Sequence, residues 1–424
     1  MDVVIVGAGI VGLAVGRELL RRWPRLDLAI VDKEPGIAAH QSGHNSGVMH
    51  SGIYYAPGSL KARLCVSGKN ALVRYCDEHG IRYDLSGKVI VATDESELPR
   101  LAELYRRGQA NGVEGLEEIG PERLAELEPN VVGIKALHSP RTGIVDYGAV
   151  ARSYASDVIR SGGKLLTDHA VRDIIRLGSN VIVETSRGDL NTRFLISCAG
   201  LQSDRIAALT GAPSDPRIVP FRGDYYVLRP EKAGLVRSMI YPAPDPSFPF
   251  LGVHFTRRIH GGVWLGPNAV LAFAREGYSR FTVNGRDLTE VFAYPGFQQL
   301  ARKFWRTGLD EMVRDYSKAG FLSALQRYMP GLQMDDLLPG PSGVRAQALN
   351  ADGTLVDDFV IHGEGNVMHV RNAPSPAATS SLAIAGYIAD QADAKFGLSA
   401  AEPKTFLLGP EAASPTTPAA SEPT

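Results

Sequence analysis

Val3-Val4-Ile5-Val6 runs directly into Gly7, Gly9 and Gly12 and then into an apolar helical pattern that stops at Trp23-Pro24. No other stretch of the chain restricts the fold as strongly. G-x-G-x-x-G spacing between a strand and a helix gives each glycine its own task. Gly7 permits the tight turn, Gly9 lets the backbone approach a pyrophosphate, and Gly12 allows the helix to pack closely on the strand. The helix amino terminus adds free N–H groups and a partial positive charge. A second strand, Leu28 to Val31, ends at Asp32, 20 residues after Gly12, where a carboxylate accepts hydrogen bonds from ribose hydroxyls; Lys33 follows it. A lone glycine turn is only a βα connection, but strand, helix and acid together predict a dinucleotide site.

The remainder of the 424 residues, 44% hydrophobic, is long enough for two domains. Helical patterns cover Leu60 to Glu78, Leu98 to Asn111, Tyr147 to Ser161, parts of 285 to 330, and Ser381 to Phe396. Strand patterns occur at Lys88 to Ala92, Lys164 to Leu166, Val181 to Glu184, Phe194 to Cys198, Asp224 to Leu228 and Val263 to Leu265. The predicted fold class is α/β: a Rossmann-like domain with a parallel sheet over 1–85, 140–212 and 340–398, and an α+β substrate domain with a mixed or antiparallel sheet over 86–139 and 213–339. The final nucleotide-domain piece is expected to begin near Gly343. Residues 409–424, almost wholly Pro, Ala, Ser, Thr and Glu, are expected to be a disordered tail.

With 45 basic and 46 acidic residues, no general nucleic-acid-binding charge is present. Cys65, Cys76 and Cys198 form neither a CxxC pair nor a disulfide framework, no hydrolase triad order or metal-ligand set is recognisable, and no metal is expected. Lacking a signal or transit pattern before the first strand, and any long apolar run, the chain is expected to be cytoplasmic. Peripheral contact with an inner membrane stays open. Three features favour FAD over NAD: the fingerprint lies at the extreme amino terminus, no second fingerprint serves a reducing nucleotide, and segments return to the nucleotide domain along the whole chain.

Five motifs then stand in order: HQSGHNSGVMHSGIYY at 40–55, FRGDYYVL at 221–228, FPFLGVHFT at 248–256, GPNAV at 266–270 and NAPSPAATSSLAIA at 372–385. Over residues 2 to about 397 the chain resembles the FAD-dependent oxidoreductases of the D-amino-acid oxidase and glycerol-3-phosphate dehydrogenase type, most closely the branch that oxidises L-2-hydroxyglutarate. Ile259-His260-Gly261-Gly262 departs from the family pattern in lacking an acidic second residue. The resemblance implies an FAD domain roofed by a substrate domain and oxidation of (S)-2-hydroxyglutarate to 2-oxoglutarate. Electrons would pass to a quinone-linked acceptor or to oxygen.

Oxidising a 2-hydroxy acid needs a hydride acceptor, a base for the hydroxyl proton and cations for the carboxylates. His44 and His50 in the glycine-rich loop, His254 in FLGVHFT, Arg222 and Tyr225 in FRGDYYVL, and Arg345 in SGVRAQ are the catalytic candidates. On a pleated strand one face carries Arg222 with Asp224 and the other Gly223 with Tyr225, and only one set can face the cofactor. Ser42, Asn45 and Ser46 are expected beside the flavin, Val171 beside adenine, and Ala199, Gly200 and Asp204 at a third FAD contact. Asn372, Pro374, Ser375, Pro376, Ala377, Ala378 and Thr379 lead into a helix whose amino terminus stabilises negative charge on the reduced ring. Covalent attachment of FAD to a loop histidine is not decided by sequence. The rivals are an amine-oxidising or glycerol-phosphate-oxidising relative and a flavin-bound regulator without turnover.

Overall fold

The computed structural model describes residues 1–244, 252–304 and 317–399. The expected tail at 409–424 and the first part of the FPFLGVHFT motif lie outside these residues. β1 (Val3–Val6), α1 (Ile10–Arg22) and β2 (Leu28–Val31) fall where the pattern places them. β1 is an interior strand, bonded in parallel to Phe194–Ser197 on one side and to β2 on the other. All its residues are buried, which is why it reads as an unbroken β-branched run instead of an alternation. Val3 and Ile5 face α1 and the helices Tyr147–Arg160 and Ser381–Phe396. Val4 and Val6 face the antiparallel ribbon Val171–Leu177, Asn180–Thr185 and Gly188–Thr192. The six-stranded sheet ends in Lys164–Leu166 at one edge and the antiparallel strand Val360–Glu364 at the other.

A nine-stranded mixed sheet forms the second layer. Lys88–Ala92 lies in its interior, parallel to Met239–Pro242 and antiparallel to Lys135–Ser139. Val89 and Val91 pack towards the helix Lys318–Gln326, and Ile90 and Ala92 towards the helix Leu98–Ala110, so the two faces follow the period of two.

Here the structure departs from the sequence expectation. Arg217–Leu228 is a 12-residue strand paired along most of its length with Leu337–Leu349. The returning segment therefore belongs to the parallel sheet only from Val360, not from Gly343. Pro339, Gly340, Pro341 and Gly343 hide the second strand. It forms because its partner is long and a register shift between Asp224 and Tyr226 absorbs the irregularity.

Candidate active site

One elongated cavity of about 1330 Å³ runs from the fingerprint turn to the face of the nine-stranded sheet. It exceeds the roughly 300–1,000 Å³ of a single small-molecule pocket, leaving room for a dinucleotide and a small acid. At one end Gly9 is the N-cap of α1, with no cap from its own side chain and no acidic residue in the first turn, so apart from the Ile10 N–H bonded to Ser42 the positive helix end faces the cavity. Gly12 does not line the cavity. A Cβ there would stand 2.0 Å from the Gly7 carbonyl oxygen, which leaves it the packing task alone. Asp32 lines the cavity and accepts from the backbone N–H of Ala8 at 2.6 Å and of Glu34 at 3.0 Å, fixing the turn while keeping lone pairs for a ribose. Val171 is also in the wall. An amino-terminal helix end, a glycine cradle and a carboxylate within one long cavity fit the ADP half of FAD.

The loop candidates divide. Ser42 accepts from the Ile10 N–H at 2.9 Å, completing the turn of α1. Asn45 donates to the carbonyls of Gln41 and Ser42 and accepts from Gly47 N–H, so its side chain shapes the loop. The Ser46 carbonyl accepts from the Arg258 guanidinium, which itself stacks 3.8 Å over Trp264. His44 is exposed; its ring stacks on Tyr278 at 4.1 Å and Nδ1–H donates to the His40 carbonyl at 3.0 Å. It lines the same cavity as His50. Lys33 bonds Glu276 at 2.9 Å and also reaches Glu34 and His40. Glu34, His40 and Glu276 bring possible metal-ligating atoms within 4.8 Å of one another, but the Lys33 ammonium already bonds both carboxylates of that group.

The far end gathers His50, Tyr225, His254 and Arg345 in the same wall, with Tyr54, Tyr55 and Tyr241. Gly223 and Tyr225 face the cavity while Arg222 does not, as the alternation requires. Arg222 is instead buried and bonded to Asp224 at 3.0 Å, and we correct its expected catalytic role to a structural one. His254 stacks on Tyr241 at 4.0 Å, and its Nδ1–H donates to the Gly252 carbonyl at 2.9 Å. That bond fixes the tautomer and leaves Nε2 as an acceptor. Burial pushes His254 down to about 3, with Arg345 and Lys88 adding to the effect and the Gly252 carbonyl opposing it. His50 is likewise pushed down to about 3, chiefly by burial and then by Lys88 and His254. Its Nδ1 is buried without a partner, and Nε2 lies 3.4 Å from Ser375 Oγ.

Ala199, Gly200 and Asp204 line the cavity, but Asp204 is a brace and not a ligand as expected. Its carboxylate accepts a fork from Arg275 and the backbone N–H groups of Ile218 and Arg205, which leaves little capacity for a cofactor. Asn372, Pro374, Ser375, Pro376, Ala377, Ala378 and Thr379 all lie in the wall immediately before the helix Ser381–Phe396. Asn372 holds the Val356 and Asp358 carbonyls. Thr379 accepts from His50 N–H at 3.1 Å and bonds the Tyr147 hydroxyl at 2.7 Å, tying the segment to the histidine loop.

Sequence reasoning missed Tyr54, Tyr55, Tyr241 and Lys88. The first two stand inside the quoted loop motif, and Lys88 heads an otherwise apolar strand. A charge at that position is the signal that was available.

Residues 2–391 match the profile of the FAD dependent oxidoreductase family DAO. A protein of Nematostella vectensis named L-2-hydroxyglutarate dehydrogenase, mitochondrial, is 50% identical over 416 residues, covering 94% of this chain and 91% of the relative. Proteins of that name from Homo sapiens, at 48% over 94% and 89%, and, without the word mitochondrial, from Indibacter alkaliphilus, at 48% over 93% and 99%, are similar to the same extent. The expected cytoplasmic location is overturned by the mitochondrial names of relatives this similar, including that of Caenorhabditis elegans. Compartment is set by address segments, not by the residues of a packed core. Among the described residues no helix is long and apolar enough to cross a membrane. In fold, the chain matches L-alpha-glycerophosphate oxidase of Mycoplasma pneumoniae with a TM-score of 0.75 at 22% identity, over 91% of this chain and 92% of that one. It also matches glycine oxidase of Geobacillus kaustophilus at 0.68 and 18%, over 93% and 95%.

Proposed function

The chain belongs to the family of FAD dependent oxidoreductases, and from that premise we propose that it oxidises L-2-hydroxyglutarate to 2-oxoglutarate. The observation that carries this reading is the convergence of Arg345, two neutral imidazoles and a tyrosine wall at the end of the cavity opposite the nucleotide turn. A guanidinium binds a carboxylate bidentately. Half-buried Arg345 follows Gly343 on a strand of the roof and is the residue that would hold a substrate carboxylate.

The turn at Gly7 and Gly9, Asp32, and the segment from Asn372 to Thr379 would hold FAD, which would supply the acceptor for a hydride from the hydroxyl-bearing carbon. His254 Nε2 receives the hydroxyl proton. Its ring cannot swing, because Gly252 holds Nδ1 and Tyr241 covers one face. His50 lines the same chamber, and its Nε2, 3.4 Å from Ser375 Oγ, is the ring atom available to a polar group of the substrate. Tyr54, Tyr225 and Tyr241 keep water from the chamber; burial raises all three hydroxyls above their ordinary range, so they stay neutral donors. The helix Ser381–Phe396 directs its amino terminus to the same segment, favouring negative charge there. Reoxidation falls to a quinone-linked acceptor or to oxygen.

Anaerobic titration of the yellow protein tests the reading. Bleaching of the flavin band by (S)-2-hydroxyglutarate and not by its enantiomer, glycerol 3-phosphate or glycine is expected. Bleaching only by an amine or by glycerol 3-phosphate would overturn the substrate, and no bleaching at all would favour a flavin-bound regulator. Mixing the reduced protein with oxygen and, separately, with a soluble quinone ranks the acceptors.

A further inference from the structure

Lys88 heads the interior strand Lys88–Ala92, with Met239 opposite on one side and Ser139 on the other. It is 1% exposed. A lysine so buried is ordinarily paired with a carboxylate, yet among the described residues Lys88 has no ion pair. Its Nζ stands 4.5 Å from the ring centre of Tyr54 and 4.8 Å from that of Tyr241. Both rings line the cavity and Lys88 does not, so the ammonium sits immediately behind the aromatic wall. The Tyr54 hydroxyl is buried without a partner.

Resting on the substrate reading above, we propose that Lys88 is the counter-ion of the bound dicarboxylate, a positioning residue acting through the Tyr54 and Tyr241 rings that takes up a proton when the anion enters.

Among the described residues, the groups facing this lysine are neutral or cationic. Tyr54 and Tyr241 come from the loop and from the strand Met239–Pro242, and burial keeps both protonated. On the helix Leu60–Glu78, the Cys65 thiol is pushed up to about 12 by burial, Lys61 is already bonded to Asp357 at 2.9 Å, and Lys69 is held below its ordinary value by burial. His50 and His254 are neutral, and Arg345 adds a cation from the roof. Among the described residues no carboxylate pairs with Lys88, and Asp357, the carboxylate in this part of the wall, is held by Lys61, so a bound dicarboxylate would bring the anion that this ammonium lacks. Burial lowers the ammonium to about 7, with Cys65 opposing slightly. An anion lodged against the wall raises it again. Below pH 7 the lysine is already charged and contributes no pH dependence. Above pH 7 each binding event requires a proton, so the dissociation constant rises by up to about tenfold per pH unit.

The test uses the FAD-loaded protein and glutarate, a dicarboxylate without the oxidisable hydroxyl, titrated between pH 6 and 9 and followed by the flavin absorbance perturbation. For the wild type, affinity should fall about tenfold per unit above pH 7, and calorimetry at pH 8 in two buffers should report close to one proton taken up per glutarate. Lys88→Met should bind weakly at every pH with that slope removed; Lys88→Arg should bind tightly, also without it. The proposal is overturned if Lys88→Met keeps the wild-type slope, if it binds glutarate as tightly as wild type at pH 6, or if the wild type takes up no proton. Bleaching by (S)-2-hydroxyglutarate is read in parallel. A wild type that bleaches and binds glutarate with a slope indifferent to Lys88 defeats this proposal alone, and one that does neither defeats the substrate reading with it.

Discussion

Gly9 and Gly12 stand three residues apart and do different work, so alanine at each should fail in a different way. A Cβ on Gly12 would meet the Gly7 carbonyl oxygen at 2.0 Å, its carbon at 3.2 Å and Cys198 Cβ at 3.4 Å. Two of those three atoms are backbone of the turn itself, so relief requires α1 or the turn to move by roughly 1 Å or more. The helix cannot retreat freely, since Leu13, Ala14 and Leu19 beneath it are fully buried. Gly12→Ala should therefore cost about 3 kcal/mol, the upper end of overpacking, already in the FAD-free protein. A Cβ on Gly9 meets only Ser42 Oγ, at 3.3 Å, and φ −75°, ψ 173° is open to alanine. Gly9→Ala should leave FAD-free stability within about 0.5 kcal/mol, while its methyl stands where the pyrophosphate approaches and weakens FAD binding by about 100-fold, or 2.7 kcal/mol. Denaturant unfolding of the FAD-free proteins and a fluorescence titration with FAD separate the two effects. Equal losses of stability in both variants, or a Gly12→Ala protein as stable as wild type, would refute this division of labour.

His254→Asn should lower kcat by about 10²- to 10⁴-fold while glutarate binding changes little, and a matching loss of binding would make the residue a substrate ligand instead of a base. Arg345→Lys should reduce kcat/KM by about 10- to 100-fold, because an ammonium cannot reproduce a two-bond fork; steady-state kinetics with an intact flavin spectrum checks it. Asp32→Asn should weaken FAD binding by about tenfold or more, measured by titration of the FAD-free protein, since the amide oxygen still accepts from Ala8 but one anionic acceptor for ribose is gone. Arg275→Met leaves the buried Asp204 carboxylate without its fork and should destabilise the protein by about 3–5 kcal/mol at pH 7. Burial, the largest influence, raises Asp204, but the Arg275 fork and the backbone bonds from Ile218 and Arg205 together lower it below its ordinary value, so in the wild type this network stabilises above the carboxyl's unfolded value and the contribution is lost as pH falls through the lower folded one. In Arg275→Met the backbone bonds from Ile218 and Arg205 remain but oppose burial less, and unfolding curves from pH 3 to 7 should show the variant losing less stability than the wild type towards acid.

How far the sequence was legible follows from which groups are local. β1 and β2 are readable to the residue, and the end of α1 to within one, because turn, helix and acid lie within a span of about 30 residues and each carries its own backbone reason. The strand Leu337–Leu349 was not, since two prolines and two glycines break the pattern and only pairing with a distant partner supplies its hydrogen bonds. Among the site residues, alternation correctly separated Gly223 and Tyr225 from Arg222 and Asp224, but not which face meets the cavity; Arg222 went inward because Asp224 two residues away could neutralise it. Asp204 looked like a ligand for the opposite reason, its neutralising partner Arg275 being 71 residues distant. A charged residue in sequence therefore announces only that burial must be compensated. Where the compensating group is near in space, as for Arg222 and Asp204, the residue is structural. Lys88 has no such partner among the described residues, and that is what directs attention from the sheet to the anion the cavity is shaped to take.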